Sequence, residues 1–386
     1  MTYDFDVLLD RRNSNSIKWD KYGDRDVLPL WVADMDFAIA PEIQQALSDR
    51  LEHPVFGYTA ASDALYEALI DHLADHYNWK ISRDWIVWVP GVVAGLSACV
   101  RAFVPDGGTV MTTPPIYHHF YQVHNPQKHN LTRVPLICHD GRWTYDLQAM
   151  ERLADKKIDL FMLCSPHNPT GTVFRQSELQ AVCDVAQSCG AIVVSDEIHC
   201  GLVLPDQEPH VPTAIAARGC EDSIVTLMSA SKTFNLAGLN CSYAIIPNAD
   251  VRQKYVSASV EAIPFVGTLA YTATEAAFKN AEPWRQQLLE YLQANFRYLQ
   301  QEFATIDGMQ LQSLEATYLA WIDATALSLN DTTGFFEEHG VGLSAGEQFG
   351  QPQFLRLNFA CPRSVLVEAV ARIRKARALL LSLIHI

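Results

Sequence analysis

The sequence predicts an α/β protein, with a large domain built on a mostly parallel sheet and a smaller α+β domain. Three observations predict it. Short apolar runs alternate with amphipathic segments of helical length, the pattern of strands covered on both faces by helices. The chain has 386 residues, 49% of them hydrophobic, enough to fill the cores of two domains. Polar motifs follow directly on several apolar runs, and ligands of open α/β sheets bind at the carboxyl ends of the strands.

Taken in order, the runs at 85–89, 109–112, 160–164, 191–195, 224–228 and 242–246 read as strands, each short and rich in Val, Ile, Leu or Met. The segments 92–103, 176–190 and 270–279 read as helices. In the first, Val93, Leu96, Val100 and Phe103 recur at helical spacing. A long amphipathic helix is predicted over 282–303, with Trp284, Leu288, Leu292 and Phe296 on one stripe. It would link the large domain to a C-terminal one with strands near 318–322 and 354–359 and a helix over 364–381. No repeat or low-complexity tract is present, and the apolar tail 381–386 fits no motif.

The formal net charge of −15 argues against nucleic-acid or membrane-surface partners, which favour basic patches. No stretch approaches the roughly 18 apolar residues of a membrane span. The acidic start, Met1 to Asp6, lacks a signal-peptide pattern, so the expected location is the cytoplasm. Nine cysteines without a CxxC pair are expected to be reduced and packed as small hydrophobes. Thirteen histidines show no HExxH or other ligand spacing, so no metal site is expected.

Four motifs carry the chemistry. Lys232 lies in Ser229-Ala230-Ser231-Lys232-Thr233-Phe234-Asn235, just after an apolar strand and among hydroxyls that could hold a phosphate. Lysines are usually solvated surface residues, and a Schiff base to a carbonyl cofactor is the leading reason to place one there. Asp196-Glu197-Ile198-His199 follows the run 191–195, and Asp196 could equally cap a helix. Ser165-Pro166-His167-Asn168-Pro169-Thr170-Gly171 follows the run 160–164 and could be a tight turn. Pro90-Gly91-Val92-Val93 opens a helix whose first backbone N–H groups offer an anion site. Together they would bring a lysine, a carboxylate, an amide and a phosphate cradle to one sheet edge.

This set resembles the fold-type I pyridoxal phosphate (PLP) enzymes of the class I/II aminotransferase superfamily, in the order Asn168, Asp196, Lys232. Within it the chain looks most like the MalY/PatB-type cystathionine β-lyases. The signs are the runs Leu30 to Phe37, Phe56-Gly57-Tyr58-Thr59, Ser195 to His199, Lys232 to Leu239 and Arg356-Leu357-Asn358-Phe359. The resemblance implies a PLP-dependent transferase-like large domain at 46–281. A small domain would be formed by 282–386 with the N-terminal segment 1–45.

It also implies roles. Lys232 would carry the Schiff base and act as catalytic base. Asp196 would pair with the pyridinium nitrogen, Asn168 and His199 would hydrogen-bond the phenolic oxygen, and Tyr117 would stack on the ring. Val92, Val93 and Ser229 would hold the phosphate, with Tyr58 reaching across from the second subunit of a homodimer and Ser231 a weaker candidate. Arg356 would clamp the substrate carboxylate, closed over by the backbone near Ala33. Asn240 stands where the superfamily often has a phosphate-binding arginine, and His199 where aminotransferases commonly have tyrosine; both departures fit the lyase subgroup.

The implied activity is α,β-elimination from cystathionine or another L-cysteine S-conjugate, giving a thiol, pyruvate and ammonia. The stretch from Asp34 to Tyr58 offers only Arg50 as a cation for a distal carboxylate, whereas Trp31, Phe37, Ile116, Tyr117 and Phe120 suit a thioether. The alternatives are a class I/II aminotransferase, which uses the same lysine, and a non-catalytic regulatory or binding protein of the same fold.

Overall fold

The computed structural model describes residues 2–153, 156–260 and 262–384. Its centre is a seven-stranded sheet: β1 (Ile86–Val89), β2 (Thr109–Thr112), β3 (Asn130–Arg133), β4 (Leu160–Cys164), β5 (Ile192–Asp196), β6 (Ile224–Met228) and β7 (Ser242–Ile245). The spatial order is β1-β7-β6-β5-β4-β2-β3, with β7 antiparallel to both its neighbours and the other pairs parallel.

Strands β4 and β6 are buried along their whole length, which explains their unbroken apolar sequences. Leu160, Met162 and Cys164 enter one core with Val92, Leu96 and Val100, while Phe161 and Leu163 enter another with Leu179 and Val182. The helices supplying these contacts cover both faces. They belong to α1 (Pro41–Leu51), α2 (Asp63–Tyr77), α3 (Val92–Phe103), α4 (Gln176–Ser188), α5 (Ala249–Ser259), α6 (Thr268–Asn280), α7 (Glu282–Phe303) and α8 (Arg363–Ile384).

A second, four-stranded antiparallel sheet contains β8 (Gln310–Leu311), β9 (Leu319–Asp323), β10 (Ser344–Ala345) and β11 (Phe354–Asn358), in the order β8-β9-β11-β10. The stripe of α7 packs on it: Trp284, Leu288, Leu292 and Phe296 share a core with Leu319, Leu355 and Leu357. Leu30, Met35, Phe37 and Ile43 join the same core, so the N-terminal segment lies with the C-terminal sheet.

The predicted strands and helices are present, with ends that match or shift by up to three residues. One shift matters: β5 runs to Asp196, so this carboxylate is the last residue of a strand. Among the elements given above, three helices (α1, α2 and α5) and three strands (β3, β8 and β10) carry no clear signal in the sequence. Strand β3 is a polar edge strand, and α5 buries only Tyr255, so neither carries an apolar run or stripe. Helices α1 and α2 bury apolar residues against α6. Of the apolar tail, His385 and Ile386 lie outside the described residues.

Candidate active site

Loops after three adjacent parallel strands converge. Asp196 closes β5, Asn168 follows β4 and Lys232 follows β6. Asp196 is 5% exposed, and Oδ1 accepts from Ile198 N–H at 3.1 Å. Burial pushes its carboxyl up to about 7; neighbouring Glu197 adds to the rise, while the Ile198 hydrogen bond and Lys232 oppose it. The carboxylate is thus costly in the interior and gains from a cation placed against it.

The Lys232 amine donates to the Ala33 carbonyl at 2.7 Å. Burial brings its pKa down to about 8, with Arg356 pushing the same way and Asp34 and Asp196 opposing. An amine of this kind is partly neutral near physiological pH, able to act as nucleophile or base.

Arg356 sits on β11, opposite Trp321 of β9 and Ser344 of β10. Nη1 donates to Asn168 Oδ1 at 2.9 Å, and Nη2 donates to the Trp31 carbonyl at 3.0 Å and Ser344 Oγ at 3.2 Å. The guanidinium lies over the Phe349 ring at 4.7 Å, and its Nε has no partner. Among the described residues no carboxylate pairs with it, and burial brings its pKa down to about 10. A buried, unneutralised guanidinium with fixed N–H groups is a socket for a carboxylate.

His199 is 2% exposed with Nδ1 unpartnered. Burial, and the cations Lys232 and Arg356, push its pKa down to about 3, so the ring is neutral. Tyr117 is half-buried, its phenol within electrostatic reach of both Arg356 and Asp196. Val92 and Val93 begin α3 after Gly91, whose φ of +109° is open to glycine, and no side chain caps this end. A side-chain carbon at Gly91 would lie 3.9 Å from Asn240 Oδ1, so an amide stands beside the helix end.

Two predicted residues stand apart from this group. Ser229 is buried, and its hydroxyl donates to the Cys241 carbonyl at 2.6 Å and accepts from Ser231 N–H at 3.0 Å, so it is engaged within its own loop. Tyr58 is fully exposed, on a surface with exposed Phe56 and Phe265, and is not gathered with the other site residues of its own chain.

Residues 31–36 form a strap across the site. Asn358 Nδ2 donates to the Val32 and Asp34 carbonyls at 2.5 and 2.6 Å, and Met35 N–H donates to Asn235 Oδ1 at 3.0 Å. Asp36 is pinned by Arg11 at 2.7 Å and by Lys18 at 2.8 Å. Asn358 and Asn235 stand inside the motifs Arg356 to Phe359 and Lys232 to Leu239, where nothing in the sequence assigns them a role. Tyr318, whose hydroxyl donates to Ala33 at 3.0 Å, was read only as the start of a strand.

A planar pyridine aldehyde bearing a phosphate fits this set. Asp196 would meet the ring nitrogen, the unpartnered His199 Nδ1 lies at hand for a ring oxygen, and the uncapped start of α3 suits the phosphate.

Fold and site together define the class: proteins with the aminotransferase-like fold of PLP enzymes, with a lysine, a carboxylate and an amide at adjacent strand ends. The chain belongs to the aminotransferase class I and II family, whose model matches residues 25–373. It is 34% identical to cystathionine beta-lyase PatB of Bacillus subtilis (strain 168), over 96% of this chain and 99% of that protein. It is also similar to the crystal structure of OvoB, with a TM-score of 0.93 and 41% identity over 97% of this chain and 99% of that one. Cystalysin from Treponema denticola, which contains a pyridoxal 5'-phosphate cofactor, matches with a TM-score of 0.92 and 32% identity over 97% and 99% of the two chains.

Proposed function

We propose that this chain is a PLP-dependent carbon–sulfur β-lyase that cleaves cystathionine or a related L-cysteine S-conjugate. The carrying observation is Arg356, a buried guanidinium that pairs with no carboxylate among the described residues and lies within electrostatic reach of the Lys232 amine. A socket for an α-carboxylate beside a base of lowered pKa is what abstraction of a Cα proton from an amino acid needs. PLP, when bound, supplies the electron sink for that step. Asp196 would hold the ring nitrogen, His199 and Asn168 its oxygen, Tyr117 a ring face, and the N–H groups of Val92 and Val93 the phosphate, while Ser229 would join them only by turning from the Cys241 carbonyl.

Arg356 and Asn168 orient the substrate carboxylate, and Lys232 takes the Cα proton. The Cβ–S bond then breaks with its electron pair leaving on sulfur, and water completes release of pyruvate and ammonia. The name of PatB supports sulfur chemistry. So does Arg50, whose donors are engaged with the His53 and Val55 carbonyls and are not turned to a distal carboxylate. The test is incubation with cystathionine and PLP alone: homocysteine, pyruvate and ammonia are expected. Turnover only after addition of a keto acid would replace this reading with an aminotransferase.

The working unit proposed is a homodimer in which Tyr58 reaches the partner's cofactor phosphate; exposed Phe56, Tyr58, Val260 and Phe265 support it. A cytoplasmic location is supported by nine free cysteines, eight of them buried. The proposed division is an N-terminal segment, a large domain to residue 281 and a small domain at 282–386. The first boundary is moved from 45 to just before Pro41, because Pro41–Leu51 is one helix.

A further inference from the structure

Two donors meet on one backbone oxygen in the strap. The Ala33 carbonyl accepts from Lys232 Nζ at 2.7 Å and from Tyr318 Oη at 3.0 Å. A carbonyl oxygen has two lone pairs, so this pairing fills it. Tyr318 is 1% exposed, its ring is edge-on to His199 at 6.5 Å, and it stands immediately before β9.

The chain adopts an uncommon conformation to put it there. Thr317, β-branched and fully buried, has φ of +77°, a region such residues rarely adopt. It is held by N–H donation to the Leu202 carbonyl at 2.9 Å and by its own hydroxyl accepting from Leu319 N–H at 3.1 Å. Strain of this kind persists where the surroundings over-determine it, and here it turns the chain directly before the tyrosine.

We propose that Tyr318 is a positioning residue for Lys232: by sharing the Ala33 carbonyl it fixes the point where the lysine amine rests whenever that amine is not covalently engaged. Without the phenol, the carbonyl is anchored by the strap alone, and the amine has other acceptors within electrostatic reach in Asp34 and Asp196. A base displaced by about 1 Å can lose on the order of 10²-fold in rate. This inference rests on the proposed role of Lys232 as the base and adds what holds it in place.

The test compares full-length wild type with Tyr318→Phe, which keeps the ring and removes one oxygen. In the cofactor-free protein, the rate of Lys232 acylation by acetic anhydride is followed against pH by peptide mass spectrometry. The groups facing the amine are Asp34, Asp196, Arg356 and His199, and all remain in the variant. The phenol's O–H dipole points its positive end at the oxygen that also holds the ammonium. Removing it raises the acylation midpoint by about half a pH unit, the scale of one hydrogen bond.

In the PLP-loaded protein with cystathionine, kcat falls about tenfold, KM stays within about twofold, and the isotope effect of α-deuterated substrate rises. Melting temperatures of the cofactor-free Tyr318→Phe, Lys232→Ala and double variants add a second measurement, and the two changes are expected to be non-additive. An unchanged midpoint, strict additivity, or equal loss through KM and kcat with an unchanged isotope effect would overturn the proposal. A wild type that releases no thiol overturns the lyase reading instead and leaves the acylation and melting arms in force.

Discussion

Arg356 of β11 donates to Asn168 Oδ1 across 2.9 Å, joining the small sheet to the loop after β4. The bond settles how the amide faces: its oxygen turns to the guanidinium and its nitrogen points away from it. It also leaves Arg356 Nε unpartnered. Arg356→Lys keeps a charge but loses the planar fork and the hold on Asn168. Two charge-assisted bonds are at stake, so kcat/KM is expected to fall about 10²–10³-fold, mostly through KM. Steady-state kinetics with cystathionine check this, and a Lys variant within twofold of wild type would remove Arg356 from substrate binding.

Asp196 sets a conflict between stability and function. Its ordinary carboxyl value is 3.8 and its folded value about 7, raised by burial. Between those values the unfolded chain has lost the proton and the folded chain keeps it. Stability that is full below 3.8 is therefore lost as pH rises towards about 7. Asp196→Asn is expected to stabilise the cofactor-free chain at pH 7.5 by about 1–3 kcal/mol, after allowing for the new amide's unmet hydrogen bonds. It should flatten the pH dependence of melting and abolish turnover. A destabilised variant with the wild-type pH slope would show that the carboxyl is not held in this way.

Lys232 gives a sign in the other direction. Its folded value is about 8, below the ordinary 10.5, so the folded chain releases the proton first. Attack on the cofactor aldehyde needs the neutral amine, so the rate at which the cofactor-free chain takes up PLP should climb with pH. The expected midpoint is near 8, with the rate falling about tenfold per unit well below it. Stopped-flow absorption of the imine reads the rate. Lys232→Ala should show no such band at any pH.

Much of this site was legible because apolar runs end where chemistry begins. Strands β4, β5 and β6 are buried, so their sequences are continuous and their ends sharp, and Asn168, Asp196 and Lys232 stand at those ends. The links between them were harder to see. Tyr318 and Ala33 are 285 positions apart and meet through a backbone oxygen, which any residue carries. Ser229 lies in a motif rich in hydroxyls, and sequence alone does not tell which hydroxyl turns inward to Cys241. Strand β3 stayed hidden for a plainer reason: as a polar edge strand it needs no apolar face.

The strap depends on a charge cluster in which Arg11 and Lys18 are shared by Asp34 and Asp36. Asp36 is 4% exposed and accepts from Arg11 at 2.7 Å, Lys18 at 2.8 Å and Trp19 Nε1 at 2.8 Å, while Lys18 is 1% exposed. Without Asp36, buried Lys18 keeps only Asp34, with Oδ1 at 3.5 Å and the carbonyl at 3.2 Å, a weaker hold whose cost approaches the roughly 3–5 kcal/mol of a fully stranded charge. Asp36→Ala should therefore lower the melting temperature sharply. It should also weaken substrate binding, because the strap carries the Trp31 carbonyl that orients Arg356 as well as the Ala33 carbonyl that holds Lys232. Well below its melting point, the variant is expected to lose about 10–100-fold in kcat/KM, a loss that saturating substrate only partly restores. Replacing Lys18 and Asp36 together, as Lys18→Met with Asp36→Leu, removes the weakly held ammonium, leaves Arg11 paired with Asp34, and should recover stability without recovering activity. Recovery of both would mean that the strap needs only to be anchored, and that the direction in which Asp36 pulls it is immaterial.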